Sequence, residues 1–163
     1  MAKSYERLAE LDGYIDFYTQ ELVIQSQKDD ACQRLQEIPG YGPITASAFY
    51  SVVGNGQAYS CGRDVSAAIG VVPRQHSTGG KNVLLGISKR GDGYLRSLLI
   101  HGARAVVIHA SKKKDQLSQW INRIVAERGT NKAAVAMANK MARIGWAILR
   151  HNAHYQAALK ATC

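Results

Sequence analysis

Cysteine is scarce in this chain of 163 residues, and Cys32, Cys61 and Cys163 form no C-x-x-C pair. That excludes a disulfide framework and a zinc ribbon and leaves reduced thiols. Long apolar runs are missing too. Residues 67–72 and 133–138 are the longest, far short of the roughly 20 residues a membrane-spanning helix needs. The opening Met1-Ala2-Lys3-Ser4-Tyr5-Glu6 lacks the basic, apolar, small-residue order of a secretory signal, so a cytoplasmic location is expected. Acid is also in short supply: 12 Asp and Glu stand against 21 Lys and Arg, for a formal charge of +9. With 46% apolar and only 20% charged residues, the chain has the composition of one folded domain able to bury its own core.

The charge is unevenly spread. Residues 1–40 hold four basic and eight acidic side chains, a balance of −4, whereas the remainder carries +13 from 17 basic and four acidic ones. A surface of that kind suits a polyanion, and nucleic acid, DNA above all, is the expected partner. In the acidic part Leu8, Leu11, Ile15, Tyr18 and Leu22 recur at steps of three and four. This is an a/d seam, equally suited to a helix packed on its own domain and to a two-chain coiled coil. Residues 1–30 are read as a coiled-coil-like linker or dimerisation helix, weakened by Gly13, and residues 31–163 as the helical domain proper.

The stretch Leu35-Gln36-Glu37-Ile38-Pro39-Gly40-Tyr41-Gly42-Pro43-Ile44-Thr45 predicts a short helix ending before Pro39 and a second one with Pro43 in its first turn. The glycines let the backbone approach a ligand, and amides at the second helix start form an anion site. The pattern resembles a helix-hairpin-helix, which grips a DNA backbone without reading bases. Gly40, Tyr41, Gly42 and Thr45, with Arg74 from the next loop, are the expected backbone contacts.

Residues 70–81, Gly-Val-Val-Pro-Arg-Gln-His-Ser-Thr-Gly-Gly-Lys, are expected to break regular structure. They gather Ser77, Thr78 and His76 close to Lys81, Lys89 and Arg90, so a nucleophile and phosphate-neutralising groups lie near in sequence. No P-loop is written there, because Lys81 is followed by Asn82 and no glycine stands five positions before Gly80, which argues against an ATPase. Ser111 and Lys114 have the Ser-x-x-Lys spacing of acyl-transfer enzymes, but they sit in a solvated lysine run. His101 with His109, and His151 with His154, lack a third ligand at useful spacing, so no metal site is assigned. Adjacent side chains in extended chain point apart, which makes His76 a poor base for Ser77. Spacing alone does not choose between Ser77 and Ser88 as nucleophile.

Beyond this loop the pattern is helical. A short helix is predicted over 63–69, one after the N-cap Asp92 with its apolar stripe at Tyr94, Leu95, Leu98, Leu99, Ala103, Val106 and Val107, one through Leu117–Val125 to Gly129, and a long one over 131–152. Only Val83-Leu84-Leu85 suggests a brief extended piece, so the fold class is all-α.

Three blocks then appear in order: Ile38-Pro39-Gly40-Tyr41-Gly42-Pro43, the loop Gly70 to Lys81, and Gly86-Ile87-Ser88-Lys89-Arg90-Gly91-Asp92-Gly93-Tyr94-Leu95-Arg96. Together, over about residues 33–110, they resemble the C-terminal transposase domain of the bridge-RNA-guided insertion-sequence recombinases. That family joins its two domains by a coiled-coil segment, similar to the seam from Leu8 to Leu22. The resemblance implies that Ser77 is the catalytic serine and that a serine–DNA phosphodiester forms during transposition. Lys81, Lys89, Arg90 and Arg96 are the candidates for stabilising the transition state. It also implies a guide RNA and a dimer or tetramer. The family's N-terminal domain, similar to Holliday-junction resolvases, binds Mg²⁺ through four carboxylates. Nothing here corresponds to it, so the chain reads as a fragment that needs no cofactor of its own and is inactive alone. The alternative is a non-catalytic helix-hairpin-helix module for nucleic-acid binding and oligomerisation; a pure oligomerisation domain is a third reading.

Overall fold

The computed structural model describes residues 2–78 and 81–157, with side chains described over 3–75 and 85–157. Among them are seven helices and one two-stranded sheet, so the domain is all-α. The helices are α1 (Ala2–Lys28), α2 (Asp30–Gln36), α3 (Pro43–Val53), α4 (Gly62–Ile69), α5 (Gly93–Ala110), α6 (Gln116–Arg128) and α7 (Thr130–His151). The strands β1 (Pro73–Thr78) and β2 (Lys81–Ile87) lie between α4 and α5.

Each boundary has a local cause. The Asp29 carboxylate accepts the Cys32 amide at 2.9 Å and opens α2, which stops ahead of Pro39 because a proline disfavours helical geometry in the residue before it. Pro43 occupies the first turn of α3, where its missing N–H costs nothing. Asp92 and Asp115 cap α5 and α6 through the amides of Leu95 and Ser118. Gly129, at φ 83, ends α6 and turns the chain straight into α7.

Helix α7 is the axis of the body, packed by α5, α4, α6 and α2. It buries Ala133, Ala134, Met137, Ala138, Met141, Ala142, Gly145 and Ile148, a small-residue face that lets neighbouring helices come close. At Gly145 a Cβ would stand 2.8 Å from the Phe49 ring and from the Tyr41 hydroxyl. At Gly102 of α5 a Cβ would stand 2.0 Å from the Gly40 carbonyl oxygen, so that crossing has no room for a side chain. The core is completed by Leu35, Ile38, Phe49, Val65, Ile69, Leu95, Leu99 and Ile121. Each such side chain contributes roughly 1.5–3 kcal/mol on burial.

The segment expected to be irregular is instead the first strand of an antiparallel hairpin. Pro73 pairs with Ile87, Gln75 with Leu84, His76 with Val83, Ser77 with Asn82 and Thr78 with Lys81, with a register irregularity between Pro73 and Gln75. The short extended piece expected at 83–85 is the middle of β2. Helix α1 runs through Gly13 without a break, and the extended backbone of Asp29 separates it from α2.

Candidate nucleic-acid interface

The hairpin rises from a tightly locked root. Gly70 closes α4 in the left-handed region at φ 79, which a side chain would strain. A Cβ on Gly70 would stand 2.1 Å from the Arg90 carbonyl oxygen, and one on Gly91 would stand 1.7 Å from that of Ala68. The end of α4 and the lead-in to α5 therefore cross backbone on backbone. The Ser88 amide donates to the Val72 carbonyl at 2.8 Å, the Lys89 amide to that of Gly70 at 3.2 Å, and the Asn139 side chain to that of Val71 at 3.3 Å. Lys89 itself takes a positive φ of 55, an uncommon setting for a residue with a Cβ.

Arg96, one of the expected phosphate-stabilising cations, makes two backbone contacts. Its Nη1 donates to the Ile69 carbonyl at 2.9 Å and to the Arg90 carbonyl at 3.3 Å, clamping the end of α4 to the start of α5. Lys89 and Arg90 are exposed at this root, and Arg74 is exposed at the foot of β1. Ser77 lies four residues up β1 from Pro73, so at about 3.3 Å per residue its backbone stands roughly 13 Å from the root. By register its neighbour across the hairpin is the Asn82–Lys81 end of β2. The structure thus divides the predicted residues into two groups, Ser77 with Lys81 towards the tip and Arg74, Lys89, Arg90 and Arg96 at the root. The side chains of Ser77 and Lys81 lie outside the described residues. Ser88, the other serine, has its hydroxyl oxygen buried with no hydrogen-bond partner among the described residues.

The two-glycine connection between α2 and α3 turns most of its predicted contacts inward. Tyr41 is buried, its hydroxyl donates to the Met141 carbonyl at 3.4 Å, and its ring meets Phe49 edge-on at 5.6 Å. Burial pushes its phenol well above the ordinary tyrosine value. Thr45 is buried as well. Gly40, at φ 93, spends its freedom on the approach to Gly102. Only Gly42 has open space at its α-carbon, so what this turn can offer a phosphate is backbone.

The electrostatics of the basic part follow from where its few acids go. Asp64 accepts the Cys61 amide at 3.2 Å, Asp92 the Leu95 amide at 2.9 Å, and Asp115 the Ser118 amide at 3.0 Å and hydroxyl at 2.7 Å. The Ser118 hydrogen bonds hold the Asp115 carboxyl below its ordinary value. Three of the four acids beyond residue 40 are thus committed to helix starts. Among the described residues, Arg63, Arg74, Lys89, Arg90, Arg104 and Lys112 to Lys114 enter no ion pair. Lys140 stands 5.2 Å from the centre of the Trp120 ring, and burial lowers its pKa. No group of three or more His, Cys, Asp or Glu gathers among the described residues.

The sequence reading missed the hairpin, although a signal was there. Gly79-Gly80, the two residues between the strands, form one of the pairs favoured in two-residue hairpin connections. It also missed the clamp made by Arg96, which no sequence pattern marks.

These features define an all-α domain with one projecting β-hairpin on a cation-rich face. Over residues 32–119 the chain matches the family described as Transposase IS116/IS110/IS902 family, and it belongs to that family. It is 47% identical over 152 residues to the transposase for insertion sequence element IS1111A of Coxiella burnetii, covering 93% of this chain and 42% of that protein. It is 44% identical over 151 residues to a probable family 20 transposase of Pseudomonas aeruginosa, covering 93% and 45% respectively. To the transposase for insertion sequence element IS1328 of Yersinia enterocolitica it is 42% identical over 146 residues, covering 87% and 44%. The chain therefore spans less than half the length of these curated relatives.

Proposed function

We propose that this chain is the DNA-handling and strand-joining part of an insertion-sequence transposase, with Ser77 as the covalent nucleophile. The observation that carries the reading is the unneutralised cationic root of a hairpin that holds a serine on an extended strand. The Ser77 hydroxyl attacks a phosphodiester, an O–P bond forms to the serine, the bond to one strand's oxygen breaks, and that strand leaves as a hydroxyl with the proton the serine gives up. A hydroxyl on another DNA end then attacks the phosphoserine and releases the enzyme. The bond energy is conserved, so no nucleotide is consumed.

Lys81 is the candidate to meet the charge developing at that phosphorus; the ladder pairs it with Thr78, one position from the Ser77–Asn82 pair. Arg74, about 10 Å down β1, and Lys89 and Arg90 at the root instead hold phosphates farther along the strand and fix its path. Arg96 supports them by fixing the backbone that carries Arg90. The residues described here do not form a carboxylate set for Mg²⁺, and no step assigned to this chain runs through a metal. The open seam of α1 is where a second copy joins, since exchanging strands needs more than one serine. Guide RNA, by the same resemblance, would supply target choice.

The test is adduct trapping on labelled DNA, using the chain alone and together with the remaining portion of such relatives, Mg²⁺ and guide RNA. Wild type should give a protein–DNA adduct in the complete system that Ser77→Ala abolishes while DNA binding persists. Binding without an adduct in the complete system would sink the serine mechanism and leave a nucleic-acid grip. Sedimentation should show Ile15→Glu as a smaller species than wild type.

A further inference from the structure

One aromatic ring on the basic body has no evident structural employment. Beyond α1, the large apolar side chains left exposed among the described residues are Val52, Leu85, Tyr94 and Ile108, and Tyr94, expected in the apolar stripe of α5 but 63% exposed, is the one ring among them. It makes no ring contact among the described residues. A tyrosine left this open gains little from folding, because most of its apolar surface never leaves water.

Its mounting is rigid. Tyr94 stands in the first turn of α5, between the capping residue Asp92 and Leu95, whose amide that carboxylate holds at 2.9 Å. Two residues on, Arg96 ties the same turn to the carbonyls of Ile69 and Arg90. Immediately before it, Gly91 is pressed on the end of α4. An exposed ring on a fixed backbone, a few residues from exposed Lys89 and Arg90, is the arrangement that stacks a base while cations track the phosphates. Ser97 and His101, also exposed, continue the same face one and two turns along.

We infer that Tyr94 is a stacking platform for an unpaired base of the DNA strand whose phosphates Lys89 and Arg90 hold. This rests on the DNA reading above and deepens it: the strand is gripped with at least one base out of the duplex. An unpaired base exposes both π-faces, and stacking tolerates any sequence because every base has one. A blunt duplex offers no such face inside its stack.

The experiment measures affinity of the full chain for three fluorescent probes: a single-stranded oligodeoxynucleotide, the same strand with abasic sites, and a blunt duplex. Tyr94→Ala should weaken the ordinary single strand about tenfold and leave the abasic strand and the duplex unchanged. Tyr94→Phe, which keeps the π-face, should bind like wild type. Arg90→Ala should weaken all three. A 2-aminopurine in the single strand should be quenched by wild type and by Tyr94→Phe but not by Tyr94→Ala. Equal single-strand affinity for Tyr94→Ala and wild type would overturn the stacking role, and so would an equal loss on all three probes. Wild type that binds none of the three would overturn the DNA reading itself.

Discussion

The two longest helices obey the same amphipathic grammar and meet opposite fates. Helix α7, with 22 residues, buries a face of alanine, glycine and methionine against α5, α4, α6 and α2. Helix α1, with 27 residues, leaves Leu8 56%, Ile15 61% and Tyr18 62% exposed, and only its final turns pack on α2 and α3, where Ser26 is fully buried. The difference teaches that periodicity announces a face but not its partner. Small residues on α7 admit helix backbones from the same chain, whereas the bulky seam of α1 is shaped for large side chains that this body does not supply.

Breaking the packed side should have the largest effect. Leu99→Ala, at a fully buried site, is expected to cost about 2–5 kcal/mol, read as a shift in the urea midpoint, while Leu11→Ala in α1 should move the same midpoint hardly at all. An equal loss at the two sites would erase the contrast. Gly102→Ala comes next: with Gly40 oxygen 2.0 Å from the new carbon, the α5 crossing must shift, at about 1–3 kcal/mol.

The same substitution at Gly13 has the opposite sign. Nothing lies within 4 Å of its α-carbon substituent, so Gly13→Ala should strengthen α1 by about 0.5–1 kcal/mol, seen as greater helicity on warming. The smallest effect lies at the far end of α7. There the Glu37 carboxylate meets His154 Nδ1 at 2.7 Å and accepts the Tyr155 amide at 2.8 Å, and these bonds hold its pKa below the ordinary glutamate value. A lowered carboxyl contributes stability that is complete above about pH 4.3 and fades as pH falls through the folded value. The Tyr155 amide resonance should shift in acid accordingly, and Glu37→Gln should remove that titration.

How much of this was readable beforehand varied with the range of the interaction. Asp92 announced a helix start, and Pro39 and Pro43 bracketed a turn, because caps and prolines act within four residues. The hairpin was hidden for a different reason: β1 carries Arg74, Gln75, His76, Ser77 and Thr78 with no apolar alternation, and strands that are not buried on one face leave no period to read. Tyr41 looked available beside two glycines, yet a helix 100 residues later covers it. Arg96 looked like a phosphate ligand because it is cationic, and only the fold places the Ile69 carbonyl in front of it. Spacing alone did not separate Ser77 from Ser88, because both stand beside cationic residues; the buried hydroxyl of Ser88 is a property only the fold reveals.

The locked crossing at the hairpin's foot holds the two strand ends from the helical side. The bonds described for it involve residues 68–72, 88–96 and 139, and none of the described side chains from Arg74 to Gly86 enters the buried core. The helical body is therefore a socket and the hairpin an insert. A hairpin of another length joined at the same foot is expected to leave the melting temperature of the helical body unchanged.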